Sequence, residues 1–418
     1  MGSRARLAQV TVEAADVDDK TDKSPQIRIA HVPRNIGGNT SGLSDGLRSL
    51  GFKSEMITFV RDTFGFSVVG TRQPRLTQEL RRVLAIPRVL LTHDVIHYNA
   101  GTTIAMPALP QPFSVLRRRP VHFLTMELHS RLMGLVQLLE LSAARLLRRT
   151  LVMTFQGDDA RQGDVSLQIF NDSIAHHVDD SYYNARSDRE KRRRIIRFQR
   201  FGVKMLALNP DLLHVLPGSS QFIPYTNVDE ARIDWGNSKT RDLEADVGGT
   251  RALRVVHAPS HRAAKGTVHI IAAVQALQRE GHSIELILVE NMMNNLAREV
   301  IERADVLIDQ VHAGWYGGVA VEAMAAGVPV ICFVREGDLR FIPEGMRRDL
   351  PVIRTTSASL RESLVAYLAL SDQEKHRLSI ESRTYVWRWH NPRLIASQVA
   401  ELYGRNLHGG TRSGKVSA

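Results

Sequence analysis

Residues 309–331 read DQVHAGWYGGVAVEAMAAGVPVI, and this stretch decides the fold class. A polar start leads into a glycine turn at Gly317 and Gly318, and the alanine-rich segment that follows is typical of a helix ending at Gly327. The β-branched run after Gly327 is typical of a buried strand. The stretch therefore predicts a turn, a helix and a strand, with the lone carboxylate of Glu322 near the start of the helix.

The same alternation continues on both sides and predicts a Rossmann-like domain over residues 251–385. Residues 25–230 begin with a strand, a glycine-rich turn, a helix ending at Gly51 and a second strand, which is how a doubly wound α/β domain opens. The fold class is therefore α/β, with two Rossmann-like domains. The segments carrying this pattern are the strands IRIAHV, EMITFV, DVIHYN, LVMTFQ, LRVVHAPS, IELILV and VLIDQ and the helices LSDGLRSLG, KGTVHIIAAVQALQREG and NNLAREVIERA.

Three segments lack this periodicity. Residues 1–24 and 408–418 are polar or rich in glycine and serine, which predicts disorder. Residues 231–250 are polar and unpatterned, which predicts a linker between the two domains. The last patterned part, residues 386–407, predicts a separate helical stretch bent at Pro392.

The composition is globular and strongly basic, with 418 residues, a formal net charge of +11 and a pI of about 10.0. This charge favours an anionic partner, or it reflects a solvated basic face. The single cysteine, Cys332, excludes a disulfide within the chain and fits a reducing compartment. Neither a secretory signal nor an apolar run of membrane-spanning length is recognisable, so we expect a cytoplasmic protein.

The helix after the glycine turn has the features of a site for a nucleoside diphosphate. Its unpaired N–H groups and dipole suit a diphosphate, and the two glycines allow close approach to the backbone. Glu322 lies about one turn further on, where its carboxylate can accept hydrogen bonds from two ribose hydroxyls. The alternative is that Glu322 is a helix residue favoured only by the dipole.

A second motif, HAPSHRAAKGT, places Arg262 and Lys265 at the first strand-to-helix junction of the second domain. These two cations are placed to bind a phosphate from the other side, or they belong to a solvated loop. In the first domain, Asp158, Asp159 and Arg161 follow a strand end, where they face a ligand or cap the next helix.

Several other polar residues give weaker signals. His97 ends a strand, where a structural histidine is the more frequent outcome. Asp309 and His312 flank the glycine turn and are expected to support it. His176 and His177 are adjacent and do not share a helix face, so no metal site is predicted.

Two basic runs, residues 117–119 and 190–200, lie in the first domain. They contain few aromatic residues, so stacking on nucleic-acid bases is not indicated, and no recognised nucleic-acid motif is present. They form solvated helix faces, or they contact an anionic lipid or glycan. The amphipathic segment 131–150 favours peripheral contact with an anionic membrane.

The segment VEAMAAGVPV at residues 321–330 resembles the donor domain of GT-B glycosyltransferases, in particular the retaining glycosyltransferase family 4 type. The resemblance covers about residues 26–405 and is most specific over 305–331. It implies two Rossmann-like domains facing across a cleft, with a C-terminal helix crossing back to the first domain. It also implies transfer of a sugar, with retention, from a nucleoside diphosphate sugar to an acceptor hydroxyl.

The resemblance also implies roles for individual residues. Glu322 would bind the donor ribose, and Arg262 and Lys265 would neutralise the departing diphosphate. Gln156 and Asp158 would lie near the sugar or the acceptor. The glycine turns would admit the diphosphate, ribose and sugar; they comprise Gly317, Gly318 and Val319 in the second domain and Gly37 and Gly38 in the first. The family needs no metal or other cofactor, because cationic side chains and helix dipoles stabilise the leaving group.

The chain departs from the family pattern at three points. Gly314 stands where the family usually has a glutamate associated with the donor sugar. Gln156 stands where a histidine is common, and an amide cannot shuttle a proton at neutral pH. Arg262 lies three residues before Lys265, while the family commonly has five. These departures indicate a divergent subgroup.

The sequence therefore predicts a hexosyltransferase-like enzyme of glycan, polysaccharide or glycolipid biosynthesis. Its partners would be a nucleotide-sugar donor and a glycan, lipid-linked or small-molecule acceptor, with no nucleic acid. The alternatives are a non-catalytic relative that binds nucleotide sugars or glycans, and a sugar-nucleotide epimerase. An epimerase would need acid and base groups at the sugar, and the family's histidine and glutamate are replaced here by Gln156 and Gly314.

Overall fold

The structure is a computed structural model that describes residues 27–59, 75–228 and 251–404. The segments predicted to be disordered or to link the domains, residues 1–24, 231–250 and 408–418, lie outside the described residues. Their properties and the domain boundaries stay predictions.

The first half of the chain forms a six-stranded parallel sheet covered by helices. Its strands are β1 (Arg28–Val32), β2 (Lys53–Met56), β3 (Val95–Asn99), β4 (Thr150–Phe155), β5 (Lys204–Ala207) and β6 (Gln221–Phe222). Its helices are α1 (Asn39–Ser49), α2 (Arg75–Thr92), α3 (Phe113–Arg118), α4 (Pro120–Leu146), α5 (Gly163–Ile169) and α6 (Ala185–Arg200), with 3-10 segments at Ile174–His176 and Pro210–His214. The strand order is β2-β1-β3-β4-β5-β6.

The second half forms a five-stranded parallel sheet. Its strands are β7 (Leu253–His257), β8 (Ile284–Leu288), β9 (Val306–Ile308), β10 (Val330–Cys332) and β11 (Ile353–Arg354). Its helices are α7 (Arg262–Lys265), α8 (Thr267–Arg279), α9 (Asn294–Glu302), α10 (Gly318–Ala325), α11 (Glu344–Arg348), α12 (Leu360–Leu368), α13 (Asp372–Trp389) and α14 (Pro392–Tyr403), with a 3-10 segment at Glu336–Phe341. The strand order is β11-β10-β9-β7-β8.

Each sheet has one point where the strand order reverses direction. In the first sheet it lies between the neighbours β1 and β3, and in the second between β7 and β9. The loops that follow two such strands run to opposite faces of the sheet. This leaves a crevice at the carboxyl ends of the two strands. The glycine turns and the Arg262–Lys265 segment of the sequence follow these strands, so the topology places them at the two crevices.

The last helix, α14, returns to the first sheet and packs against α1. Its residues Ile395, Ala396 and Val399 are buried in one cluster with Leu43 and Leu47 of α1. This packing confirms the predicted C-terminal helix that crosses back to the first domain, and with the two sheets it confirms the predicted fold class.

His97 on β3 is part of this contact. It is buried, and its ring nitrogens bond to the hydroxyls of Tyr403 at 2.9 Å and Thr154 at 2.7 Å. Burial lowers its pKa to about 3. It is therefore a neutral structural histidine.

Replacement of Gly46 in α1 by alanine is expected to destabilise this contact. A Cβ there would lie 2.3 Å from the Pro392 carbonyl oxygen, which is too close without backbone movement. Overpacking of this kind costs about 1–3 kcal/mol. Urea unfolding of the variant should show that loss. The matched control is Gly134→Ala in α4, where no atom lies within 4 Å of the added Cβ and the helix should gain about 0.5–1 kcal/mol. Equal stabilities of the two variants would contradict this packing.

Three element predictions were wrong in detail. The strand predicted at 55–60 runs from Lys53 to Met56, because its pairing with β1 begins at Arg28 opposite Lys53. The helix predicted over 265–281 runs from Thr267 to Arg279, and Lys265 belongs to the separate short helix α7, since Gly266 adopts a left-handed φ of 76° between the two. The amphipathic helix predicted over 131–150 begins earlier, at Pro120, and ends at Leu146. Among the helices that the structure describes, none is long and apolar enough to cross a membrane.

Candidate functional site

A cavity of about 310 Å³ lies between the carboxyl ends of the two sheets and is lined from both halves of the chain. We call it the interdomain cleft. Of the ten residues that the sequence predicts for the site, six line it. They are Gly37 and Gln156 from the first half and Lys265, Gly318, Val319 and Glu322 from the second. The structure thus brings most of the predicted site together.

The helix α10 points its amino terminus into this cleft. Gly317 is its N-cap residue, and the Gly317 backbone N–H donates to Asp309 Oδ2 at 2.6 Å. Within the described residues no side chain caps the helix. The N–H groups of Gly318 and Val319 have no partner inside the helix, as is general for the first turn. These two groups and the helix dipole make the end of the cleft favourable for an anion.

Lys265 supplies a fixed positive charge at the same point. Its Nζ donates to Asp309 Oδ1 at 2.7 Å, and the side chain stays 19% exposed toward the cleft. Asp309 is completely buried. Lys265 follows β7 and Asp309 follows β9, so the pair closes the reversal point of the second sheet. One carboxylate therefore holds both the ammonium group and the Gly317 N–H that begins the helix.

Glu322 faces the cleft from the next turn of α10. Its Oε1 accepts from Arg298 at 3.1 Å and from Asn227 Nδ2 at 3.3 Å, and the side chain is 10% exposed. Burial raises the pKa of this carboxyl, and the Arg298 guanidinium opposes that rise. The amide of Asn294 also bonds to this carboxyl. A carboxylate has two oxygens with about four lone-pair sites, so acceptor capacity is left for a ligand hydroxyl.

On the opposite wall, Gln156 follows β4, and its side-chain Nε2 is buried without a hydrogen-bond partner among the described residues. A buried amide without a partner is costly unless a ligand satisfies it. Gly37 and Gly38 adopt left-handed φ values of 58° and 75° just before α1. That conformation favours glycine, and Gly37 contributes only backbone to the wall of the cleft.

Four of the predicted residues do not line the cleft. Gly317 and Gly38 contribute backbone as N-caps of α10 and α1. Arg262 is 59% exposed and bonds to Glu290 at 2.5–2.8 Å, so its guanidinium is engaged outside the cleft. Asp158 lines a separate cavity instead. The roles of Arg262 and Asp158 stay predictions.

Asp158 is held in an internal network. It accepts from Arg161 at 2.8 Å, from the Tyr182 hydroxyl at 2.5 Å and from the Tyr183 hydroxyl. Burial would raise its pKa, but Arg161 and the two hydroxyls outweigh burial and lower it. An ionised carboxylate with three donors is well suited to fixing the loop and poorly suited to accepting a proton.

The cavity beside Asp158 is larger, about 870 Å³, and we call it the basic cavity. Arg34, Arg82 and Arg194 line it, and Ile36 lines both this cavity and the interdomain cleft. Arg34 Nε has no hydrogen-bond partner among the described residues. Burial and the neighbouring Arg82 lower the pKa of Arg34. Three carboxylates line the cavity as well, and one of them, Glu79, is paired with Arg82. Arg34 is therefore the cation of this lining that favours an anionic group.

One carboxyl that lines the basic cavity, that of Asp159, has a raised pKa. Burial raises the pKa of Asp159 to about 6, although the carboxylate accepts from the backbone N–H groups of Gln156 and Gly157. Asp159 is therefore the weaker acid of the two neighbouring carboxyls Asp158 and Asp159.

Two residues of the site escaped the sequence analysis. Asn227 bonds to the Gly318 carbonyl oxygen at 2.9 Å as well as to Glu322, although it lies 95 positions away from Glu322. Arg298 reaches Glu322 from α9. Neither stands in a recognisable motif. Arg298 lies in the segment NNLAREVIERA, whose polar residues are typical of any solvent-exposed helix, so the pattern did not single it out.

No family model matches the chain, and no curated protein sequence is significantly similar to it. Solved structures are similar over most of its length. Sucrose-phosphate synthase from Thermosynechococcus elongatus matches with a TM-score of 0.51 and 16% identity, covering 90% of this chain and 98% of that one. The catalytic domain of starch synthase IV from Arabidopsis thaliana, bound to ADP and acarbose, matches with a TM-score of 0.54 and 12% identity, covering 90% and 99%. These similarities show that the chain has the GT-B fold.

Proposed function

We propose that this protein is a glycosyltransferase that moves a sugar from a nucleoside diphosphate sugar to an acceptor hydroxyl. One observation carries the proposal. Glu322, Lys265 and the open amino terminus of α10 surround one cleft at the reversal point of the second sheet. The chemistry of these groups matches the ribose and the diphosphate of such a donor. The similarity in fold to a starch synthase bound to ADP agrees with this choice.

In this proposal the nucleotide lies along the second half of the cleft. The diphosphate binds the N–H groups of Gly318 and Val319 and the ammonium group of Lys265. The ribose hydroxyls donate to Glu322, and the base packs on the apolar part of the lining, Met292, Ala297 and Ile301. The sugar then points across the cleft to Gln156, whose unpaired Nε2 donates to a sugar hydroxyl or ring oxygen.

We further propose transfer with retention and without a metal. The bond from the anomeric carbon to the diphosphate breaks, and the acceptor oxygen forms its bond on the same face of the sugar. The acceptor proton passes to the departing diphosphate oxygen, so no protein nucleophile is needed. Lys265 and the α10 dipole stabilise the negative charge that develops on the leaving group. This route tolerates Gln156 and Gly314 at positions where the family has titratable groups.

The acceptor would occupy the basic cavity, which meets the cleft at Ile36. The Arg34 guanidinium, whose Nε is without a partner among the described residues, suits an acceptor that carries a phosphate or carboxylate near the hydroxyl to be modified. Asp159, with its pKa of about 6, lies close enough to line this cavity and orient that hydroxyl.

The helix α4 gives a reason to expect the acceptor at a membrane surface. Met126 and His129 of α4 line the basic cavity, while the opposite face of the helix exposes a straight apolar stripe. The stripe consists of Val121, Leu124, Leu128, Leu132, Leu135, Leu139 and Leu146, each at least half exposed. Arginines flank it at 117–119 and again at 145 and 148. An apolar stripe with basic flanks is suited to lie in the interface of an anionic bilayer.

We therefore expect the protein to cosediment with vesicles containing an anionic phospholipid and to be released by salt. The double substitution Leu128→Glu and Leu135→Glu should weaken the partition at least about tenfold, because two leucines lose their burial in lipid. The matched control places the same charges on the second half of the chain, at the exposed Val268 and Leu296. Equal vesicle binding by both double variants, or no vesicle binding by the wild type, would contradict the proposed membrane contact.

The transfer itself is tested by incubating the protein with each common nucleotide sugar, with and without a lipid extract, and analysing products by mass spectrometry. The proposal expects a glycosylated product and a free nucleoside diphosphate only when acceptor is present. An altered sugar nucleotide without acceptor would identify an epimerase. Tight donor binding with no product in any extract would favour a non-catalytic binding protein.

A further inference from the structure

Three histidines and one aspartate meet at the junction of the two halves of the chain. His177 and Asp172 belong to the first half and flank the 3-10 segment Ile174–His176. His269 lies in α8, and His312 lies in the loop after β9. The three histidines each offer a ring nitrogen, and these nitrogens all lie within 4.8 Å of one another. None of the four residues lines the interdomain cleft or the basic cavity.

Asp172 connects two of the imidazoles. Its Oδ1 bonds to His177 Nε2 at 2.6 Å, and its Oδ2 lies 3.4 Å from His312 Nδ1. The rings of His177 and His312 are stacked with centroids 3.5 Å apart, and the His269 ring stands edge-on to both, at 6.0 and 5.3 Å. Asp172 thus brings one nitrogen of His177 and one of His312 to the same carboxylate, and a nitrogen of His269 lies within 4.8 Å of both rings' ligand atoms.

We propose that these four side chains form a binding site for a divalent transition metal ion of the zinc type. Three imidazole nitrogens and one carboxylate oxygen are a ligand set that suits tetrahedral Zn²⁺. The ion takes the place of the proton between His177 and Asp172. Because nitrogen lone pairs lie in the ring plane, the His177 ring must tilt out of its stack on His312. It has room to do so, since it is part-exposed on a loop and 30% of its side chain is accessible.

The site would join the two halves of the chain beside the donor end of the cleft. His312 Nε2 lies close to Gly266, the residue after Lys265. A Cβ added to Gly266 would lie 2.9 Å from this nitrogen. A metal held by two ligands from each half stabilises one relative placement of the halves. The proposed metal site is independent of glycosyl transfer. It would use His177 together with residues far away in the sequence, not with the adjacent His176.

The test is a titration of the metal-free full chain with ZnCl₂ by calorimetry and with CoCl₂ by visible absorption. We expect one ion per chain, a Co²⁺ spectrum of the intense tetrahedral type, and a rise in Tm with Zn²⁺. The double variant His177→Ala and His269→Ala, which leaves the buried His312 in place, should weaken binding at least about 100-fold. Asp172→Asn should weaken it less.

The matched control removes two exposed histidines elsewhere, His282→Ala and His376→Ala, and should bind Zn²⁺ like the wild type. Circular dichroism checks that each variant is folded. No stoichiometric uptake by the wild type would overturn the proposal, and so would equal affinity of the wild type and the His177 and His269 variant. Neither result bears on transferase activity, which is measured separately.

Discussion

Glu322→Gln is expected to raise the Kd for the nucleoside diphosphate about 10- to 100-fold. The carboxylate is the group in the cleft placed to accept hydrogen bonds from both ribose hydroxyls, and bonds to a charged acceptor contribute about 1.5–3 kcal/mol. Glutamine keeps the size of the side chain and its contact with Asn227, but its amide offers only one acceptor oxygen. Isothermal titration with the preferred nucleotide measures the effect.

The matched control for this variant is Glu299→Gln on α9, an exposed glutamate that does not line the cleft. It should bind the nucleotide like the wild type. The Glu322 variant should also keep the wild-type affinity for inorganic diphosphate, because the α10 terminus and Lys265 are unchanged. A Glu322→Gln protein that binds the nucleoside diphosphate normally would show that the ribose lies elsewhere.

Lys265→Ala is expected to lower kcat about 100- to 1,000-fold with a smaller change in the donor KM. In the proposed transfer the ammonium group, held by Asp309, would lie where negative charge grows as the diphosphate departs. A preorganised charge is worth more in the transition state than in the ground state. Steady-state kinetics over a range of donor concentrations separate the two parameters.

The same substitution also leaves Asp309 buried without its cation. Removing one partner of a buried ion pair costs about 3–5 kcal/mol. Lys265→Ala should therefore also lower the free energy of unfolding measured with denaturant. The double variant Lys265→Ala and Asp309→Asn removes the uncompensated charge and should recover much of that stability. Its kcat should stay low. Recovery of both stability and kcat would mean that Lys265 acts only by holding Asp309.

Much of the fold follows from the sequence because hydrophobic residues are spaced differently in buried parallel strands and in the helices that cover them. Strands β7, β8 and β9 begin at their predicted residues, since each starts a short apolar run after a polar loop, but each ends before the predicted end. The turn into α10 was predicted because Gly317 and Gly318 interrupt the pattern just before an alanine-rich segment typical of a helix. The limits of β2 were not, because its ends are set by pairing with β1, which no local pattern reports.

The candidate site was accessible from the sequence only where one motif contains it. Gly318, Val319 and Glu322 all lie within residues 318–322, so they are close in space because they are close in the sequence. The contacts of Asn227 and Arg298 with Glu322 depend on how separate loops converge, and so does the meeting of His177 with His312. Arg262 shows the opposite case, because the sequence could not reveal that Glu290 competes for its guanidinium.

The most direct test of the central claim is a thermal-shift panel of UDP, GDP, ADP, dTDP and CDP, each also as a sugar conjugate, on the wild-type chain. A ligand at a hundred times its Kd adds about 2.7 kcal/mol to the folded state. We expect one base to raise Tm clearly, and Glu322→Gln to lose that rise. No shift with any nucleotide or nucleotide sugar would contradict a nucleoside diphosphate sugar site in the interdomain cleft.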